Sequence, residues 1–121
     1  MANHNTKKIT PEFARLLRER LRDRPDLLLE DGEPDFKKIA LGIGQHLGRY
    51  YDPTQARRVY NGEYGRWHLA PEVVDAHVYT LGESPSTGFD RAAAHHAVYA
   101  PPGVSVEDYR RMFRPLTAVA S

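Results

Sequence analysis

The chain has no cysteine among its 121 residues, which excludes disulfide frameworks, thiolate metal sites and cysteine nucleophiles. No apolar run approaches the roughly 20 residues of a membrane-spanning helix. The opening MANHNTKK also lacks the apolar stretch of a signal peptide. Charge of one sign is scarce: Lys and Arg number 17 against 16 Asp and Glu, a net of +1. That balance argues against a polybasic tail or a non-specific nucleic-acid coat, and leaves a locally basic face open. Alternation with period two is missing over any useful length, so helix is the only repeating pattern. Also missing are P-loop and dinucleotide glycine patterns, His-Glu-x-x-His and Gly-x-Ser-x-Gly. His95-His96 and the His68/His77 pair have no third ligand at a metal-site spacing. The expectation is a cytoplasmic, non-enzymatic protein with no cofactor, no metal and no membrane association.

What is present suits one small domain, with 40% hydrophobic and 27% charged residues. Residues 1–9 are polar and aperiodic, a loose terminus. Thr10-Pro11-Glu12 opens a helix, with a hydroxyl at the cap, proline at the first position and an acid in the first turn. Phe13, Leu16, Leu17 and Leu21 follow at helical spacing until Pro25. From Pro25 to Pro34 the chain is a connection, which the Leu27-Leu28-Leu29 triplet anchors to the core. A second helix from Asp35 carries Phe36, Ile39, Ala40, Ile43 and Leu47, and Gly48 suits the left-handed position past its end. Asp52-Pro53 repeats the cap-plus-proline start, opening a short helix with Ala56, Val59 and Tyr60 inward before Asn61-Gly62. A fourth runs from Ala70-Pro71 to Leu81.

The 10–82 region is thus expected to form the bundle, with Leu16, Leu17, Ile39, Ile43, Leu47, Val59 and Val74 in one core. Residues 83–104 are linker-like, with room for a short Ala-rich helix between Phe89 and Tyr99. Residues 105–121 form an amphipathic helix and tail, capped by Ser105 and striped by Tyr109, Met112, Phe113 and Leu116. That stripe lies either on its own bundle or on a second chain; dimerisation is the favoured expectation. The fold class expected is all-α, a compact bundle of about five helices.

The block from Phe36 to Leu81 resembles the phage-repressor-like helix-turn-helix family, of the lambda repressor and Cro type. Gly44 matches the small residue inside that family's first helix, and Leu47-Gly48 its turn. Ala56 and Val59 match the inward positions of the second helix, and Asn61-Gly62-Glu63 its exit. Gly48 to Ala56 is about two residues longer than the family's usual turn. The resemblance implies a helix-turn-helix within the bundle and a sequence-specific DNA-binding protein, a transcriptional regulator acting on double-stranded DNA. It makes 53–61 the recognition helix and calls for a homodimer or partner protein, because one helix reads few base pairs.

The residues support that reading on their own terms. If Ala56, Val59 and Tyr60 face inward, Gln55, Arg57, Arg58 and Asn61 face outward. Arginine pairs with guanine through two hydrogen bonds, and Gln or Asn pairs with adenine in the same way. Thr54 reaches a phosphate, helped by the first backbone N–H groups, and Arg49, Tyr64 and Arg66 extend the surface. The bland alternative is a solvated helix face with rim aromatics, and Arg15-Arg18-Arg22 is most simply such a face. The alternative function is a small helical protein–protein interaction module, an adaptor or inhibitor, that uses the same scaffold without DNA.

Overall fold

The computed structural model describes residues 11–63 and 69–114. Six α-helices account for the regular structure there: α1 (Pro11–Leu21), α2 (Phe36–Leu47), α3 (Pro53–Tyr60), α4 (Pro71–Leu81), α5 (Arg91–Tyr99) and α6 (Val106–Met112). Two 3₁₀ turns, Pro25–Leu27 and Pro85–Thr87, punctuate the connections. No strand forms among the described residues; only isolated bridges close the loops at Leu28–Pro34 and Ser84–Phe89.

Local chemistry explains the boundaries. Carboxylates or hydroxyls cap four helices: Asp35 accepts from the Lys38 amide, Asp52 from Thr54, Asp90 from Ala93 and Ser105 from Asp108. At the end of α3, Glu63 N–H donates to Arg58 C=O at 2.9 Å and Gly62 N–H to Val59 C=O at 3.0 Å. With Gly62 left-handed, this is a Schellman closure.

α2 lies against α4 on one side and α3 on the other. Gly42 lets α2 and α4 approach, since a Cβ there would stand 2.7 Å from Thr80 Cγ2. Phe13 and Leu17 of α1, Ile39 and Ile43 of α2, Val59 of α3 and Val74 and Val78 of α4 are fully buried in one cluster. Leu16 and Leu47 are only partly buried at its edge. The leucine triplet divides as an anchor would: Leu27 is buried, Leu28 partly so, and Leu29 is exposed.

Two expectations change in the last third of the chain. The linker-like stretch 83–104 is not peripheral, because Phe89, Ala94, Ala97 and Val98 belong to the same core cluster and α5 packs on α1 and α4. Alanine rows let helix backbones come close, so a weakly hydrophobic helix still buries its face. The 105–116 stripe is also partly spent on its own bundle. Tyr109 stands edge-on to His96 at 5.4 Å, and the Phe113 ring lies 4.6 Å from that of His95. α6 is too short to be helical alone and gains its stability by docking on α5. Met112 remains exposed, and Leu116 lies outside the described residues.

Candidate nucleic-acid interface

α3 is an eight-residue helix whose inner side is fully committed. Ala56 and Val59 have no exposure, and Tyr60 packs edge-on against Phe36 at 5.5 Å. Its outer side carries Thr54, Gln55, Arg57 and Arg58, all exposed. Arg49 is likewise exposed in the turn that delivers the helix. Tyr64 and Arg66 lie outside the described residues.

The turn from Gly48 to Asp52 is built around two glycines and a tyrosine. Gly48 takes φ 77°, and both its amide and that of Arg49 donate to Gly44 C=O. A Cβ on Gly44 would stand 2.6 Å from the Arg49 carbonyl oxygen, so the turn folds back over a position that only glycine fits. Tyr51 is buried between the helices, which accounts for the extra length of the turn. Its ring stands edge-on to His77 of α4 at 6.1 Å.

Two expected contacts are altered. Asn61 does not stand clear of the protein: Arg18 of α1 donates to its Oδ1 at 2.9 Å and to Tyr60 C=O at 2.8 Å. Two-point recognition of adenine uses both the oxygen and the nitrogen of an amide, so the bond from Arg18 makes Asn61 an anchor of α3 whose oxygen is already engaged. At the other end, the Asp52 carboxylate accepts from the Thr54 amide at 2.9 Å. That amide is therefore satisfied, and a negative charge sits where a phosphate would otherwise gain from the helix dipole. Any phosphate contact by Thr54 falls to its hydroxyl.

The α1 arginines are largely spent on the fold. Arg15 pairs with Glu12 and Glu19, Arg18 holds the end of α3, and Arg20 donates to Gly82 C=O at 2.8 Å. No ion pair engages Arg22, Arg49, Arg57 or Arg58 among the described residues. Beside Arg49 a cleft of about 480 Å³ runs between the starts of α3 and α4, past Tyr50, Gln55 and Val73.

A second polar cluster escaped the sequence reading. Asp75 of α4 accepts two hydrogen bonds from Arg91, at 2.8 and 2.9 Å, and one from His95 at 2.7 Å. Burial raises the Asp75 carboxyl, but the hydrogen bonds from His95 and Arg91 outweigh it and hold the group below its ordinary value. The Arg91 guanidinium lies 5.1 Å from the centre of the Phe113 ring, so the cluster links α4, α5 and the residue that ends α6. His77 is the opposite case. It is fully buried among Phe13, Tyr51 and Tyr60, neither ring nitrogen has a partner among the described residues, and burial lowers its pKa to about 3. The sequence offered one clue to a further surface, because Leu41 falls outside the apolar face of α2, and it is indeed exposed.

Comparison with protein-family models, curated proteins and solved structures finds no match to this chain.

Proposed function

We propose that this protein binds double-stranded DNA sequence-specifically as a transcriptional regulator, with α3 of a helix-turn-helix as its reading helix. The observation that carries this reading is the division of α3 between a fully buried side and an outer row of Gln55, Arg57 and Arg58. A helix held by Phe36 on α2, Arg18 on α1 and the Asp52 cap presents those side chains from a rigid base, as direct readout requires. Arg49 and Arg22 carry charge that no carboxylate pairs with among the described residues, which suits phosphate contacts. One eight-residue helix covers few base pairs, so useful affinity comes from two copies on a two-fold site or from a neighbouring partner protein.

The test is a mobility-shift assay with mixed genomic fragments at two salt concentrations, followed by selection from randomised duplexes. Competitor-resistant binding that weakens steeply with salt, with a recurrent selected sequence, is the expected result. No binding even at low salt would overturn the reading.

A further inference from the structure

Beside α2, where it meets the turn that leads into α3, lies an open groove of about 410 Å³, lined at its inner edge by the core residues Ala40 and Tyr51. Its lining includes Ala40, Gly44 and the cap residue Gly48, small residues that leave the surface low between larger neighbours, with the Arg49 carbonyl packed over Gly44. Leu41 forms one wall and Tyr50 the other, 63% and 79% exposed respectively, both large for apolar side chains facing water. The core explains neither residue, and α3 leaves both uncovered.

The charges around the groove are of one sign. Lys37 stands at its α2 N-terminal end and Arg49 at the other, and no carboxylate among the described residues lines it. No ion pair among the described residues engages either cation. Lys37 lies in the first turn of α2 and Arg49 in the turn just past its end, so the two cations flank the apolar walls. DNA is a poor occupant, because its phosphates would leave the apolar floor and Leu41 unused. We propose that this groove docks a short segment of a partner protein, with one or two large apolar side chains at its centre and carboxylates near both ends. The segment buries Leu41 and Tyr50, and its acids meet Lys37 and Arg49. This docking does not depend on DNA binding. It shares Arg49 with the proposed phosphate contacts, so an occupied groove draws that cation away from DNA.

The probe is a displayed library of random 12-residue peptides selected on the full chain and counter-selected on Leu41→Glu. Leu41 is exposed, so that variant keeps the parent's circular dichroism and melting curve. The expected outcome is a family of peptides with an apolar centre and acids on both sides. Their binding by fluorescence anisotropy should fall at least tenfold in Leu41→Glu and in the Lys37→Glu/Arg49→Glu double variant. The double variant should instead prefer peptides whose acids are replaced by lysine. Three results would overturn the proposal: no enrichment, enriched peptides without acids, or binding indifferent to these substitutions. Concentration-dependent dimerisation that Leu41→Glu abolishes would also overturn it, by giving the groove to a second copy of the chain.

Discussion

His95 Nε2 donates to Asp75 Oδ1 at 2.7 Å, joining the fifth helix to the fourth inside a largely closed cluster. His95 is 4% exposed and the Asp75 side chain 14%, so the pair is shielded from water but not fully desolvated. Arg91 adds two further hydrogen bonds to the same carboxylate. Phe113 lies against both His95 and Arg91, and α6 is thereby tied to the bundle through one aspartate.

Asp75→Asn keeps the shape and removes the charge that both donors address. It should lower unfolding stability by about 1–3 kcal/mol, the range for a partly buried charged hydrogen bond. The wild-type contribution also has a pH signature. The folded carboxyl titrates below its ordinary value, so the native state holds its proton less tightly than the unfolded chain does. Its stabilisation is complete above about pH 4 and fades as pH falls through the native value. Urea denaturation of the two proteins at pH 7 and pH 3 checks both parts. A difference that persists undiminished at pH 3 would count against the ionised pair.

His77 should make the protein acid-sensitive at higher pH. Its imidazole protonates near 6.5 when unfolded but near 3 when folded, because burial disfavours the cation. Between those values the unfolded chain takes up the extra proton, so stability falls by about 1.4 kcal/mol for each pH unit lost. His77→Phe should remove that slope while keeping the ring contacts with Phe13, Tyr51 and Tyr60. Denaturation midpoints from pH 7 to pH 4 test it; parallel curves for the two proteins would refute the assignment.

Gly44→Ala should be costly although alanine favours helix. The added methyl would meet the Arg49 carbonyl, which is backbone and cannot rotate aside. The expected loss is about 1–3 kcal/mol, the usual range for overpacking, read from thermal melts. A rise in stability, as helix propensity alone predicts, would show that the turn is not packed on Gly44.

Arg57→Ala and Arg58→Ala should leave the melting temperature nearly unchanged, since both side chains are exposed. Each should weaken binding to a selected duplex by about 1–3 kcal/mol if it reads a base. Arg49→Ala should instead weaken binding to every sequence alike and reduce the salt dependence. If neither Arg57 nor Arg58 affects affinity, α3 is not the reading helix.

Most of the first four helices was legible in the residues. Asp52-Pro53 and Ala70-Pro71 mark starts, Gly48, Gly62 and Gly82 mark ends, and the 3.6-residue spacing marks which side of each helix is buried. The outward row of α3 was legible for the same reason, because burying Ala56, Val59 and Tyr60 leaves Gln55, Arg57 and Arg58 facing out.

Tertiary structure alone decided the rest. Alanine is compatible with both solvent and core, so 91–99 gave no sign that α5 would close the bundle until α1 and α4 packed against it. Asp75 and His95 are twenty residues apart, and Arg18 and Asn61 forty-three apart; pairs so distant carry no periodic signal and exist only once helices cross. Asn61 accordingly serves to anchor its helix to α1, and Tyr109 and Phe113 turned toward their own bundle. Local spacing determines which face a helix buries, because that depends only on its own period. What the face is buried against depends on contacts across the chain, and the sequence order does not state them.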